Sequence, residues 1–219
     1  AWLNGEAGLD DLLLRPESFY VEQAIDLRLG VTATAIDAAA RTVAFSDGTT
    51  ETYDVLVLAT GSTARRLPVP GGDDSGLLEL RTLNDAERLK AVLGPGKRLA
   101  VVGGGYVGLE AAASARALGA DAVVIERMDR VLARVASQTL SDFFTALHRQ
   151  HGVEILTSAE AHSLEARSLD GGAVRLADGR TIQADAILVG IGAQSCDGLA
   201  ATAGLACDNG VVVDEQART

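Results

Sequence analysis

Six consecutive residues, Gly103, Gly104, Gly105, Tyr106, Val107 and Gly108, carry the spacing G-x-G-x-x-G. An apolar run over 99–102 leads into them. A helical run over 109–118 leads out and closes at Gly119. A second apolar run, 122–125, ends at Glu126. Strand, glycine turn, helix, strand and terminal acid, in that order, bind a dinucleotide. Gly103 lets the chain leave its strand in a tight turn. Gly105 lets the backbone approach a pyrophosphate, and Gly108 lets the helix lie close on the strand. The helix N-terminus offers unpaired N–H groups and partial positive charge to the phosphates. Glu126 lies 23 residues after Gly103, in position to accept hydrogen bonds from ribose hydroxyls. Its charge repels a 2′-phosphate and so favours NAD over NADP, an argument that Arg127 next door weakens.

Other reactive side chains suggest less. Arg127, Arg130 and Arg134 follow the second strand; they either contact the adenosine phosphates or form a solvated face. His148, His151 and His162 do not have the spacing of a metal site and read as surface histidines near a helix C-terminus. Cys196 and Cys207 do not form C-x-x-C, so they are expected to be incidental thiols in a reducing cytosol. The net charge of −11, with no basic run, argues against a nucleic-acid surface or a polybasic membrane contact. The longest apolar stretch, 99–109, is far short of the roughly 20 residues that span a bilayer.

The elements that position these groups follow from periodicity. With 219 residues, 47% of them hydrophobic and 22% charged, the chain has the make-up of one or two globular domains. A strand is expected at 31–36, then a hairpin over 41–53 with Ser46-Asp47-Gly48 in its turn. The continuous apolar run 55–59 reads as a strand buried on both faces. Pro68, Pro70, Gly71, Gly72 and Gly76 mark residues 65–76 as a linker. A helix over 84–93 is expected to start at Asn84, with Glu87 as its capping-box partner. A second helix, 137–150, carries Leu140, Phe143, Phe144 and Leu147 at helical spacing, read as core. A strand at 153–156 leads to an antiparallel meander over 161–184, with turns at 170–172 and 178–179. A buried strand at 186–191 follows, and 210–214 begins one more. The fold expected is α/β: two Rossmann-like, three-layer nucleotide-binding units with antiparallel meander insertions, the first incomplete.

These motifs, in this order, resemble the FAD-dependent, NADH-using ferredoxin reductases of bacterial oxygenase systems, within the pyridine nucleotide-disulfide oxidoreductase superfamily. The markers are Ser46-Asp47-Gly48, residues 56–61 ending in Ala59-Thr60-Gly61, Leu80-Arg81-Thr82-Leu83, residues 102–110, Val189-Gly190-Ile191-Gly192, Ala203-Gly204-Leu205 and Asn209-Gly210. The resemblance covers essentially the whole chain. It implies that NADH gives a hydride to the flavin N5 and that electrons leave singly to a [2Fe–2S] ferredoxin. It places Glu110 near the nicotinamide amide and the flavin, although an acid in the first turns of a helix is also what the macrodipole favours. It sets Val107 against the nicotinamide and lets Gly190 and Gly192 bring backbone close to the ring. It assigns Ala33, Ala59, Thr60, Gly61 and Arg81 to the FAD. Arg65 either faces the pyrophosphate or is a solvated linker residue, and Arg134 fits the family best among the three arginines after the second strand.

The same resemblance implies domain borders: 1–80 as a partial FAD-binding domain, 81–207 as the NADH-binding domain, and 208–219 as a return to the first. The family's first glycine turn, a later Gly-Asp pair and a C-terminal domain fall outside the sequence, which is therefore read as a fragment. Alone it is expected to bind FAD weakly or not at all, to be inactive, and to be a cytoplasmic monomer or homodimer, contacting neither nucleic acid nor membrane. Two rival readings stand beside this one. One is an NADH oxidase or CoA-disulfide reductase type of flavoenzyme; the other is an NAD-binding module without activity.

Overall fold

A computed structural model describes residues 2, 3, 5, 7–166 and 171–219. The chain divides into two units. One joins residues up to Gly8 with Ala64–Gly192, and the other joins Leu9–Thr63 with Ala193–Thr219. The changeovers lie at 8/9, 63/64 and 192/193. Leu67, Val69 and Leu77 lie against the core of the first-named unit.

The second-named unit opens with a one-turn helix and α1 (Glu17–Glu22), then β1 (Ala33–Asp37), β2 (Thr42–Phe45) and β3 (Thr50–Thr52). The three strands form an antiparallel sheet in chain order, as the Asp47-Gly48 turn predicts. Asp47 Oδ1 accepts from the Thr49 N–H at 2.9 Å, and Gly48 takes φ +84°. A short β4 (Ser62–Ala64) follows. The expected strand at 55–59 does not form. Val55 and Val57 are 82% and 80% exposed. No described strand lies beside this run to take its backbone hydrogen bonds, and apolar composition alone does not supply them.

The first-named unit, called the nucleotide unit for the glycine turn it carries, has α2 (Leu83–Val92) as its first helix. Thr82 caps it, not Asn84: the Thr82 hydroxyl accepts from the Asp85 N–H, and Asp85 returns the bond to the Thr82 N–H at 2.8 Å. Aspartate at the third helical position does the work expected of Glu87. Then come β5 (Arg98–Val102), α3 (Tyr106–Ala117), β6 (Asp121–Ile125), α4 (Gln138–Gln150) and β7 (Val153–Leu156). The meander β8 (Ala161–Ala166), β9 (Gly172–Leu176) and β10 (Thr181–Ala184) leads into β11 (Ala186–Val189). The expected 170–172 turn begins outside the described residues. Strands β11, β5, β6 and β7 form a parallel sheet in that order.

Because strand side chains alternate, each of these apolar strands feeds two cores. Leu99, Val101, Ala122, Val124, Ala186 and Leu188 face the helices, where Ala111, Ala112 and Ala115 let α3 sit close. Ala100, Val102, Val123, Ile125, Ile187 and Val189 face the meander, meeting Leu164, Val174 and Leu176. Helices, parallel sheet and meander are the three layers. The segment 65–76 is packed, not a loose linker. A Cβ at Gly71 would strike the Leu164 carbonyl, and the Leu164 N–H donates to Pro70 O at 2.9 Å.

The chain returns through β12 (Ala193–Ser195), which pairs with β4, and α5 (Gly198–Thr202), which packs on β1. The strand expected at 210–214 is reduced to a single bridge, Cys207 to Val211. The α4 stripe read as core is also corrected. Leu140, Phe143 and Leu147 are 49%, 58% and 36% exposed, and Phe144 alone of the four packs inward. No helix among the described residues is long and apolar enough to cross a membrane.

Candidate functional site

The parallel sheet changes direction at β5. The chain runs from β5 outward to β6 and β7 on one side, and β11 comes back on the other. Ligands of such sheets bind outside the carboxyl ends of the strands at this switch point. Gly103 follows β5 and Gly190 follows β11. Gly103 has φ +115°, and a Cβ on it would strike the Gly190 carbonyl. A Cβ on Gly108 would strike Gly103 O and come within 3.1 Å of Val101 Cγ1. These two glycines are required by the protein's own packing.

Gly105 differs. It is the N-cap of α3, with φ −82°, and a Cβ on it would meet nothing within 4 Å. No side chain caps this 12-residue helix. Its leading N–H groups carry the positive end of the helix dipole, and the space before Gly105 is open among the described residues, an arrangement that suits a pyrophosphate. Tyr106, Val107 and Glu110 lie on the exposed face of the same first turns, Tyr106 at 56% and Val107 at 41% exposure.

Glu126 is half-buried at the end of β6. Its Oε2 accepts from the Gly104 N–H and its Oε1 from the Met128 N–H, each at 2.7 Å. Each carboxylate oxygen keeps further acceptor capacity for a ribose hydroxyl. The Gly104 carbonyl in turn accepts from the Leu132 N–H at 2.9 Å. Both backbone groups of Gly104 are thus held by the segment after β6. Leu132 is buried with φ +56°, a left-handed conformation that costs an L-residue about 1–2 kcal/mol.

The three arginines of that segment separate. Arg134 is exposed at the mouth of the crevice, its Nη2 3.4 Å from Ile191 O and 3.8 Å from where a Cβ of Gly192 would stand. Arg127 is exposed. Arg130 fits neither expectation. Its Nη1 donates to Ala136 O at 3.0 Å and Ser141 Oγ at 2.7 Å, and its Nη2 to Ala133 O at 3.0 Å. Ser141 is completely buried and was not a candidate on sequence. Its signal was there: a hydroxyl on the same helical face as Phe144 and His148.

Gly192, with φ +118°, accepts from the Arg65 N–H at 2.9 Å. The Arg65 side chain lies on the rim of a cleft of about 330 Å³ that also holds Arg66, Arg88, Asp73, Asp74 and Glu79. Three arginines thus face three carboxylates around it. Arg81 is exposed, and its N–H donates to Asp85 at 3.1 Å.

In the other unit, Ala33 opens β1 opposite Phe45. Ala59 and Thr60 are exposed. The Thr60 hydroxyl donates to Cys196 O at 2.6 Å, and Gly61, with φ +69°, accepts from the Cys196 N–H at 3.0 Å. Among the described residues of this unit no helix opens on a glycine turn like that of α3; α1 starts at Pro16 and α5 at Asp197. The structure thus brings Gly103 to Gly108, Glu126, Arg134, Gly190 and Gly192 to one crevice, whereas Val189 turns its buried side chain into the meander core. It shows no comparable phosphate cradle around Thr60 and Gly61.

The sequence model described as pyridine nucleotide-disulphide oxidoreductase matches residues 4–219. The chain belongs to the pyridine nucleotide-disulphide oxidoreductase family. It is 46% identical over all of its 219 residues to a probable ferredoxin reductase of Castellaniella defragrans, covering 54% of that protein. It is 40% identical to rhodocoxin reductase of Rhodococcus erythropolis, covering 51% of it. Among solved structures, the covalent putidaredoxin reductase–putidaredoxin complex superimposes with a TM-score of 0.91 at 39% identity, over 98% of this chain and 53% of that one. The chain therefore spans about half the length of the curated relatives it matches. Members of this pyridine nucleotide-disulphide oxidoreductase family are oxidoreductases that work with FAD and NAD(P)H.

Proposed function

We propose that this chain is the nucleotide-handling portion of an NADH:ferredoxin reductase, in which electrons pass from NADH through FAD to a [2Fe–2S] ferredoxin serving an oxygenase. The observation that carries the reading is Gly105, a glycine whose missing side chain nothing among the described residues fills, set at a helix N-terminus without a side-chain cap on the sheet's switch point. The reductases named among its relatives support the electron route.

In this reading the nucleotide unit is the NADH domain. Gly103, Gly104 and Gly105 with the α3 N-terminus hold the diphosphate. Glu126 holds the adenosine ribose, and Arg134, beside Ile191 and Gly192, reaches the phosphates between the two ends. Val107, Glu110, Gly190 and Gly192 line the nicotinamide end, and Val189 contributes there through its backbone alone. Hydride transfer needs orientation and exclusion of water, not a side-chain acid or base, so these residues act by placing the ring. FAD supplies the change from two-electron to one-electron transfer when bound. From the other unit, Ala33, Ala59, Thr60 and Gly61 contribute to its site, and the ferredoxin docks on the whole protein.

NADH and NADPH titrations of the purified chain, followed by cofactor fluorescence, test the reading. Saturable binding of NADH with weaker binding of NADPH is expected. Equal or tighter NADPH binding would remove Glu126 from its role. An absorbance scan tests the flavin half: the chain alone should lack a stoichiometric band at about 450 nm, where a bound flavin absorbs. Turnover of an artificial acceptor with NADH and added FAD separates the reductase from a binding module.

A further inference from the structure

A buried polar network lies beside the crevice without entering it. The Ser141 hydroxyl, completely buried in α4, donates to Val131 O at 2.6 Å and accepts from Arg130 Nη1 at 2.7 Å. The same guanidinium donates to Ala136 O and Ala133 O, each at 3.0 Å. One serine and one arginine thus hold three carbonyls of the β6–α4 loop. Leu132 sits among them in its left-handed conformation. Its N–H donates to Gly104 O at 2.9 Å, and its carbonyl accepts from the Val135 and Ala136 N–H groups. Arg134, two residues on, reaches Ile191 O at 3.4 Å.

The chemistry explains the choice of groups. A planar guanidinium presents several donors at fixed angles and satisfies separate carbonyls at once, which an ammonium on a flexible stem does not reproduce. A left-handed leucine persists only where its surroundings over-determine it. Releasing the carbonyls on either side of Leu132 lets it relax, and with it go the bond to Gly104 and the placement of Arg134.

We propose that Arg130 and Ser141 are positioning residues of the dinucleotide crevice, pinning the β6–α4 loop so that Leu132 braces Gly104 and Arg134 stays beside Ile191 and Gly192. This rests on the reading that the crevice takes NADH.

The test measures the NADH dissociation constant of the full chain and of Ser141→Ala, Arg130→Lys, Arg134→Ala and Ser141→Ala/Arg134→Ala, each well below its own unfolding temperature. Ser141→Ala and Arg130→Lys should each weaken NADH binding about tenfold. The double variant should bind clearly more tightly than the product of its single effects requires, because the two changes act through one loop. Amide exchange at Gly104 and Leu132 should quicken in Ser141→Ala and Arg130→Lys while β5 and β6 stay protected. A merely structural role would quicken exchange across the sheet instead and leave the effects multiplicative, and either result overturns the proposal. So does NADH binding within twofold of the parent chain in both variants. Arg130→Lys keeps the charge but not the planar fork, so parent-like binding there overturns the proposal for Arg130. If Ser141→Ala does not fold, Arg130→Lys paired with Arg134→Ala carries the same cycle. Absence of saturable NADH binding in the parent chain overturns the reading of the crevice itself, a result distinct from loss in the variants alone.

Discussion

Val101 and Val57 belong to apolar runs of similar make-up, 99–102 and 55–59, and end in opposite surroundings. Val101 is completely buried, in a strand paired on both edges and covered by α3. Val57 is 80% exposed in a run with no strand assignment. The difference teaches that an apolar run becomes a buried strand only where neighbours take its backbone bonds and other elements cover both faces. The nucleotide unit contains all those partners within its own residues. The other unit's described sheets, a three-stranded antiparallel ribbon and the β4–β12 pair, do not include 55–59.

The sharpest way to break this contrast is a pair of truncations. Leu99→Ala should cost about 2–5 kcal/mol, as for other large-to-small changes in a packed core. Val57→Ala should stay within about 0.5 kcal/mol. Urea denaturation reads both, and a comparable loss at Val57 would show that the second run is packed after all. Within the crevice, Gly108→Ala should cost about 1–3 kcal/mol by overpacking, since its Cβ would strike Gly103 O. Gly105→Ala should leave the melting temperature in place and weaken NADH binding. Thermal melts with and without NADH separate the two roles.

A smaller effect concerns the start of α2. Thr82→Ala should cost about 1 kcal/mol, the usual loss at a helix cap. Asn84→Ala should cost far less. The smallest effect is a dependence on acid. Burial pushes the Asp85 carboxyl up, but hydrogen bonds from the Thr82 hydroxyl and the Thr82 and Arg81 N–H groups, with the Arg88 charge, hold it below its ordinary value. Its contribution is therefore complete above the unfolded carboxyl value of about 3.9 and is lost as pH falls through the lower folded value. The stability gap between the parent chain and Asp85→Asn should be constant from neutral pH down to about pH 5 and close in stronger acid.

The nucleotide unit was legible because its signals are local and agree. Glycine spacing, strand length and the acid at Glu126 all point to one turn, and the turn is there. The misread positions depend on partners distant in sequence. Thr82 and Asn84 both fit a capping pattern, and only the bond from Thr82 to Asp85 chooses between them. The stripe Leu140, Phe143 and Leu147 has helical spacing, but spacing does not say which flank turns inward; Ser141 and Phe144 do. Arg130 was open between phosphate and solvent, and neither alternative foresaw that its donors go to loop carbonyls. Residues 65–76 carry the composition of a linker, yet Gly71 and Gly72 are there because carbonyls occupy the space a side chain would need.

In the proposed role, the Glu126 carboxylate that would hold the ribose also anchors the turn. Exchanging Glu126 for a smaller neutral side chain, the obvious route to accepting a 2′-phosphate, strips the acceptors from the Gly104 and Met128 amides at the same stroke. A redesigned cofactor preference must therefore bring a replacement anchor for the turn, or it trades selectivity for grip.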